Sequence, residues 1–186
     1  EGRTYPVAVH YQDILGCSAA ADGLTKLVEA VKWLQRQAPG DILVFLAGEF
    51  EIKVAREQLL GEFGETYDVL PLFARLNLAQ QQKILTPRVG KTRIILATNV
   101  AETSLTVPGI KYVIDSGLAK ISRYSYRSKM QRLVCEPISQ ASAHQRAGRC
   151  GRQEAGICLR LYQEEDWQQR EEFTPPEILR TNLAYA

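Results

Sequence analysis

The sequence predicts an α/β fold built on a mostly parallel sheet with helices on its faces. Short apolar segments typical of buried strands alternate with segments whose apolar residues recur at helical spacing. This alternation favours parallel strands joined by right-handed helical crossovers. Polar or small residues follow several strands, in LAGE, LFAR and ATNVAETS. Ligands of open α/β sheets lie outside such carboxyl ends, so these segments are candidate binding positions.

The predicted elements follow one another in a regular order. From Leu24 to Leu34, apolar residues lie on one helix face, and Asp22 or Thr25 would cap the start of that helix. The full order is strand 5–11, helix 24–38, strand 41–48, helix 48–64, strand 67–73, helix 79–85, strand 92–99, an irregular turn, strand 111–117, helix 139–148 and strand 156–162. With 186 residues, the chain fits one domain of this kind.

Residues 118–136 interrupt this order with a basic segment. Its polar centre SYRSK and its alternating pattern predict a β-hairpin that projects from the domain. The hairpin has no acidic residue before Glu136, and it combines cations with aromatic rings: Lys120, Arg123, Tyr124, Tyr126, Arg127, Lys129 and Arg132. Such groups suit a nucleic-acid backbone and its bases. A solvated hairpin whose charges keep a sheet edge soluble is the alternative.

The segment SAHQRAGRCGR (142–152) concentrates positive charge without any acidic residue. On a helix of about 100° per residue, Gln145, Arg149 and Arg152 fall within about 60° of one another, and Arg146 points away. The first three side chains should therefore converge. Arg146 should tie the helix to its own domain.

A phosphate is the predicted anion for this convergent face. Guanidinium groups bind phosphate in planar, often bidentate geometry and keep their charge. Gly148 and Gly151 weaken a helix but let a ligand approach closely. A surface ion-pair cluster is the alternative, although no carboxylate lies nearby in sequence. If the phosphate is the γ-phosphate of ATP bound by another domain, Arg149 and Arg152 would act as arginine fingers.

The segment VGKT (89–92) does not form a phosphate-binding P-loop. That motif needs a glycine where this chain has Leu85, and it needs a helix to follow, whereas here a strand follows. The chain also lacks an acidic D-E-x-H or D-E-x-D cluster for Mg²⁺. By itself, then, the chain lacks the parts that hold most of a nucleoside triphosphate.

Four segments in order resemble the motifs of a known family. They are ILVFLAGEFEI (42–52), LPLFARL (70–76), ATNVAETSLTVPGIKYVIDSG (97–117) and SAHQRAGRCGR (142–152), which are similar to motif IV, the segment after it, motif V and motif VI. Over nearly its whole length the chain resembles the second RecA-like domain of DEAH-box helicases of superfamily 2. ISRYSYR and EPISQASA favour the bacterial HrpA type over the HrpB type.

The resemblance implies a nucleotide site shared with a first RecA-like domain, which would hold most of the ATP and its Mg²⁺. Gln145, Arg149 and Arg152 match catalytic positions at the γ-phosphate and its attacking water. The implied nucleotide-side positions are Gly148, Ser104, Thr106 and Leu85. Leu85 stands where many relatives carry an aromatic that stacks on adenine, and Pro108 stands where eukaryotic relatives have an aspartate near the ribose. We therefore expect that nucleoside triphosphates other than ATP can also be used.

The resemblance also implies that the chain binds single-stranded or partly duplex RNA. Ala47, Gly48, Thr98 and Asn99 match positions on the RNA backbone, and the hairpin, with Arg123, Arg127 and Lys129, matches an element that separates strands or gates the RNA channel. Thr98 and Ser104 have a plainer alternative, because Ser and Thr often satisfy turn amides. A non-catalytic nucleic-acid-binding module and a DNA-translocating motor remain as alternative functions.

The resemblance divides the chain into a motor domain (1–175) and a lead-in to a winged-helix domain (176–186), where PEILRTNLA carries the likeness. The two domains that would flank this one, the first RecA-like and the winged-helix domain, are the expected partners. We expect no metal site within the chain, because its four cysteines lack C-x-x-C spacing. The longest apolar runs are far below the roughly 20 residues that span a bilayer, so we expect no membrane segment. The resemblance implies that the isolated domain is monomeric and belongs to the bacterial cytoplasm.

Overall fold

The central feature of the fold is a parallel sheet, in a computed structural model that describes residues 4–87 and 89–174. The elements are β1 Val7–His10, a 3-10 helix Gln12–Leu15, α1 Gly23–Gln35, β2 Asp41–Phe45, α2 Glu49–Phe63, β3 Tyr67–Leu72, α3 Leu78–Leu85, β4 Thr92–Ala97, α4 Val100–Thr103, β5 Ile110–Asp115, β6 Leu118–Ser125, β7 Met130–Pro137, α5 Gln140–Ala147, β8 Gly156–Arg160 and α6 Glu164–Gln169. The six-stranded sheet has the order β1-β8-β5-β2-β4-β3, and every neighbouring pair is parallel. The predicted fold class is confirmed.

Helices cover both faces of this sheet, which explains why its strands read as continuous apolar runs. Successive strand side chains point to opposite faces. On β2, Ile42 and Val44 pack with the apolar faces of α1 and α2, whereas Leu43 and Phe45 pack on the opposite side. Apolar residues of α3, α4 and the end of α5 cover that second side. Within this second layer, α4 and α5 are in direct contact with each other.

Local sequence signals fix where the helices begin. The Asp22 carboxylate accepts the Thr25 N–H at 2.8 Å, which confirms Asp22 as the cap of α1. Asn77 and Gln80 exchange side chain-to-backbone hydrogen bonds at the start of α3, forming a capping box. The Ser139 hydroxyl accepts the Ser142 N–H at 3.1 Å and begins α5.

The predicted hairpin is confirmed as a separate two-stranded antiparallel sheet of β6 and β7. Its strands pair from Leu118 opposite Pro137 to Ser125 opposite Met130. The Lys129 N–H donates to the Ser125 carbonyl at 2.7 Å and closes the turn, with Lys129 in the left-handed region at φ 58°. The basic turn therefore lies at the end farthest from the domain.

Two predicted boundaries were wrong. The turn expected after β4 contains the short helix α4, whose Ala101 is fully buried against the second face of the sheet. The helix expected over 139–148 ends at Ala147, so residues 148–152, which the predicted convergence placed on the same helix, are not helical. The lead-in segment 176–184 lies outside the described residues.

Within residues 4–87 and 89–174, no group of His, Cys, Asp and Glu side chains is arranged to hold a metal ion. All four cysteines are free thiols. In the same part of the chain, no helix has both the length and the apolar composition that a membrane crossing needs.

Candidate functional site

The arginine-rich segment turns sharply where its glycines stand. Gly151 adopts a left-handed φ of 78°, and a Cβ there would lie 2.9 Å from the Tyr5 carbonyl oxygen and collide with Val7. Only glycine fits this approach to β1 without strain. The backbone has already left the helix after Ala147, and the left-handed Gly151 excludes a helical path through Arg152. Our prediction of one continuous helix through Arg152 was wrong for this reason.

Arg149 and Arg152 nevertheless lie together on the protein surface. Each guanidinium folds back on the turn: Arg149 Nε donates to the Gln145 carbonyl at 3.3 Å, and Arg152 Nε donates to the Gly148 carbonyl at 3.1 Å. Burial and the neighbouring charge of Arg152 lower the pKa of Arg149. Within residues 4–87 and 89–174, neither arginine forms an ion pair, so the predicted surface ion-pair alternative is not supported.

Arg146 points into the domain instead of toward the surface, as its position on the predicted helix indicated. Its side chain is fully buried, with Nε 3.0 Å from Glu102 Oε1 and Nη1 2.8 Å from Asp115 Oδ1. Nη2 donates to the Leu118 carbonyl at 3.2 Å, and the guanidinium lies over the Phe45 ring. Burial alone would lower the pKa of Arg146, but the two carboxylates outweigh it and raise the pKa. One side chain thus joins α4, α5, β5 and the start of the hairpin.

Sequence reasoning missed both carboxylates of this buried cluster. Glu102 and Asp115 stand 44 and 31 residues before Arg146, so spacing along the chain did not connect them. One signal was available: Asp115 directly ends a strand that is otherwise apolar. An acidic residue at the buried end of a strand needs a positive partner, because an unpaired buried charge is costly.

The predicted nucleotide-side residues lie near the amino ends of the strands. Ser104 and Thr106 are exposed on the connection between α4 and β5, and Leu85 is the half-buried last residue of α3. The buried Arg93 holds these segments together. Its Nη1 donates to the Leu85 carbonyl at 3.0 Å, and its Nη2 donates to the Pro108 carbonyl at 2.8 Å.

Asp41 holds the Arg93 side chain in place at the edge of the sheet. Its carboxylate accepts both the Arg93 backbone N–H at 2.9 Å and the Arg93 Nε at 2.8 Å. Because Asp41 begins β2 and Arg93 is the second residue of β4, the cluster sits at the amino edge of the sheet. The predicted nucleotide-side positions therefore lie at the edge opposite the carboxyl ends.

The predicted RNA-backbone residues gather at the carboxyl edge. β2 and β4 are neighbours in register, with Phe45 opposite Ala97, so the turns after them are adjacent. Ala47 and Gly48 are buried in the first turn. In the second turn Asn99 is exposed and Thr98 is half-buried. Thr98 Oγ1 accepts the Val100 N–H at 3.5 Å, a long contact consistent with the plainer turn-amide alternative.

The hairpin is tied to this carboxyl edge by an ion pair. Lys120 Nζ lies 3.2 Å from Glu51 Oε1 in the first turn of α2. The pair passes over Gly48, where a Cβ would lie 2.9 Å from Lys120 Cδ. A cleft of about 650 Å³ opens between the hairpin, α4 and the start of α5, and its lining includes Asn99 and Arg123. Residues predicted from separate motifs thus face one space.

The predicted hairpin cations divide into two kinds. Arg123 forms a two-bond ion pair with Glu136, with both nitrogen–oxygen distances at 2.6 Å. Hydrogen bonding to this carboxylate raises the pKa of Arg123. Arg127 and Lys129 are exposed in the turn. The turn therefore presents two long, positively charged side chains to solvent, whereas the charge of Arg123 is neutralised by Glu136.

Comparison with known families decides what kind of domain carries these two edges. The sequence model of the family described as "Helicase conserved C-terminal domain" matches residues 22–154. The chain belongs to this family. The match begins at the cap of α1 and includes the hairpin and the whole arginine-rich segment. This helicase C-terminal domain continues past the match with β8 and α6.

Two bacterial helicases are similar along almost all of this helicase C-terminal domain. The chain is 59% identical over 183 residues to the "ATP-dependent RNA helicase HrpA homolog" of Haemophilus influenzae. It is 56% identical over 185 residues to the "ATP-dependent RNA helicase HrpA" of Escherichia coli. Both alignments cover 98% of this chain, but the chain spans only 14% of each relative's length.

A solved structure agrees with this relationship. The chain matches the Escherichia coli DExH-box NTPase HrpB with a TM-score of 0.87 and 38% identity, over 98% of this chain and 22% of that one. The predicted resemblance to DEAH-box helicases is confirmed. The higher identity to the two HrpA proteins also agrees with the predicted HrpA type.

Proposed function

We propose that this helicase C-terminal domain is the second motor domain of an ATP-dependent RNA helicase. The observation that supports the proposal best is the contrast among three neighbouring arginines. Arg146 is buried on two carboxylates, whereas the hydrogen bonds of Arg149 and Arg152 within the described residues go to backbone carbonyls and neither forms an ion pair. Two guanidinium groups that form no ion pair are well suited to the terminal phosphate of a nucleotide.

Arg149 and Arg152 would act as arginine fingers on ATP that a first RecA-like domain holds together with Mg²⁺. Water attacks the γ-phosphorus as the bond to the bridging oxygen breaks, and negative charge spreads over the transferring oxygens. Guanidinium groups already fixed at that place stabilise this charge, which is worth about 10³ to 10⁵ in rate in well-studied cases. Gln145, exposed on the last turn of α5, would orient the attacking water.

The surrounding residues would shape the nucleotide side. At Gly148 a Cβ would meet nothing closer than two carbonyl oxygens at 3.5 Å, so the fold itself tolerates a side chain there. We attribute this glycine to the close approach of the phosphate. Ser104 and Thr106 would contact the nucleotide from the α4–β5 connection. Leu85 offers the base an apolar contact without aromatic stacking, so ATP and other nucleoside triphosphates would be used.

The carboxyl edge would hold single-stranded or partly duplex RNA. Ala47, Gly48, Thr98 and Asn99 would contact the sugar–phosphate backbone, which carries little sequence information. Arg127 and Lys129 extend the positive surface onto the hairpin. Arg123 could join them only by leaving Glu136.

The two edges would work as one unit during a catalytic cycle. ATP binding would close the cleft between the two RecA-like domains and bring Arg149 and Arg152 onto the phosphate, and hydrolysis would reopen it. Because the RNA is held by the same rigid domain, each cycle would shift the grip along the strand. A winged-helix domain would follow residue 175, and the enzyme would act in the bacterial cytoplasm.

Separating the domain from the rest of the enzyme tests this division of labour. The isolated chain, kept as a monomer, should bind RNA and nucleotide weakly and hydrolyse no ATP. The full-length enzyme should hydrolyse ATP faster when RNA is added. ATP turnover by the pure isolated chain would contradict the proposal. Matched RNA and DNA strands in the same assay separate an RNA motor from a DNA motor, since the 2′-OH distinguishes them.

A further inference from the structure

A short segment at the end of the described chain braces the hairpin. It comprises α6 and residues 170–174, beyond the residues matched by the family. We call it the brace. Trp167 of α6 packs edge-on against His144 of α5, with ring centroids 5.1 Å apart. The Gln140 amide donates to the Trp167 carbonyl at 2.9 Å.

Arg170 of the brace binds both ends of the hairpin with one nitrogen. Its Nη1 donates to the Gly117 carbonyl at 2.7 Å and to the Ile138 carbonyl at 3.1 Å. Gly117 stands immediately before β6, and Ile138 stands immediately after β7. The Ile138 N–H also donates to the Gly117 carbonyl at 3.0 Å. The guanidinium therefore fastens the base of the hairpin to the domain.

Other contacts fix the direction of this guanidinium. It lies 3.9 Å from the centroid of the Tyr162 ring, and its Nε is 3.1 Å from Asp166 Oδ1. The Arg170 side chain is only 5% exposed. Gly117 has a φ of 77°, and a Cβ there would lie 2.8 Å from Arg170 Nη2. The base of the hairpin is thus closely packed as well as hydrogen-bonded.

The residues after Arg170 continue onto the start of α5. The Gln140 N–H donates to the Glu171 carbonyl at 2.8 Å, and the Ala141 N–H donates to the Glu172 carbonyl at 3.0 Å. Backbone carbonyls of the brace therefore satisfy donors that a helix leaves unpaired in its first turn. The same helix carries Gln145 in its last turn, two residues before it ends. The brace connects the hairpin with the helix that leads to the arginine pair.

We infer that Arg170 is a positioning residue that holds the hairpin at a fixed angle to the motor domain while duplex RNA is separated. The inference rests on the proposed function. An isolated two-stranded hairpin is marginally stable by itself, so contacts at its base decide its direction. A hairpin with a loosened base would yield to an advancing duplex. ATP would then be hydrolysed at the normal rate while less duplex RNA is unwound.

The experiment compares ATP hydrolysis with strand separation in the full-length enzyme. Arg170→Ala should leave RNA-stimulated ATP hydrolysis within about twofold of wild type and lower the rate of unwinding of a partly duplex RNA by about tenfold, because charged hydrogen bonds are lost at the hairpin base. Arg170→Lys keeps the charge but not the forked geometry, and it should fall between the two. Proportional loss of both activities, or unwinding at the wild-type rate, would overturn the inference.

Two controls keep the result interpretable. Arg36→Ala removes an exposed arginine at the end of α1 and should change neither activity. Hydrogen exchange reads the hairpin directly: Arg170→Ala, or Arg170→Lys if the alanine variant does not fold, should speed exchange in residues 117–138 and leave β2 and β4 unchanged. Unchanged exchange in the hairpin overturns the inference. Wild-type enzyme that hydrolyses ATP without unwinding RNA contradicts the proposed function instead.

Discussion

Arg146 and Asp115 form a buried ion pair in which Nη1 lies 2.8 Å from Oδ1 and both side chains have no exposed surface. Glu102 Oε1 lies 3.0 Å from Nε of the same guanidinium, so this ion pair links α5, which begins the arginine-rich segment, to α4. The flanking Arg149 donates to the Gln145 carbonyl instead and forms no ion pair within the described residues. The pair therefore fixes the segment from which the proposed catalytic arginines extend.

Removing this guanidinium should destabilise the domain strongly. Arg146→Met leaves the Asp115 carboxylate buried without a counter-charge, and breaking a buried pair in this way typically costs about 3–5 kcal/mol. The free energy of unfolding from urea titration of the isolated chain measures the loss. Arg36→Ala, at an exposed position, should change it by less than about 0.5 kcal/mol. Equal stability of Arg146→Met and wild type would contradict the buried cluster.

Freeing Arg123 should strengthen RNA binding. Glu136→Gln removes the carboxylate of the two-bond ion pair with Arg123, so the hairpin gains one net positive charge. We expect tighter RNA binding at low salt and a plot of log affinity against log salt that is steeper by about 0.7, the value for one added phosphate contact with a single strand. Arg127→Ala and Lys129→Ala should each flatten the same plot. A salt dependence that does not change in Glu136→Gln would show that Arg123 takes no part.

Restoring an aromatic at the nucleotide side should sharpen selectivity for purines. Leu85→Phe in the full-length enzyme adds a ring at the end of α3, and aromatic stacking is worth about 0.5–1.5 kcal/mol. The KM for ATP should fall severalfold relative to that for UTP, with little change in kcat. Leu60→Phe, at an exposed position on α2, serves as the matched control. An unchanged ratio of the two KM values would place Leu85 away from the base.

The four thiols should react in two classes. Burial raises the pKa of Cys150 to about 11 and raises the pKa of Cys158 further still. Because the thiolate is the reactive form, both should stay unmodified by iodoacetamide at pH 8 and should become reactive only near or above pH 11 or on unfolding. Cys135 is exposed and Cys17 is half-buried, so both should react in the folded protein. Mass spectrometry of labelled peptides checks this, and rapid labelling of Cys158 in folded protein would contradict its burial.

The order of elements and the identity of the motifs could be predicted from the sequence because both are local patterns. The end of α5 could not, since it depends on Gly151 meeting Tyr5 and Val7 from the far end of the chain. The short helix α4 was missed because one turn carries too little periodicity to detect. A tertiary contact thus decided the first conformation, and shortness hid the second.

Long-range pairs were the other part that sequence reasoning did not reach. The direction of Arg146 followed from helical spacing, but its carboxylate partners did not. Arg123 was predicted as an RNA-binding cation because its neighbours in sequence are basic. Antiparallel pairing sets Arg132 opposite it and Glu136 opposite Ala119, and the Arg123 side chain reaches that carboxylate on the facing strand. Arg170 carried no motif at all. Its importance became visible only from the two carbonyls that it binds.

The central claim is that Arg149 and Arg152 serve a phosphate on another domain. The measurement is ATP turnover and RNA affinity of Arg149→Ala and Arg152→Ala in the full-length enzyme, with Arg36→Ala beside them. We expect turnover to fall at least about a thousandfold, as for other arginine fingers, while RNA affinity stays near wild type. Loss of RNA affinity with normal turnover per bound complex would contradict it and would favour a nucleic-acid-binding module.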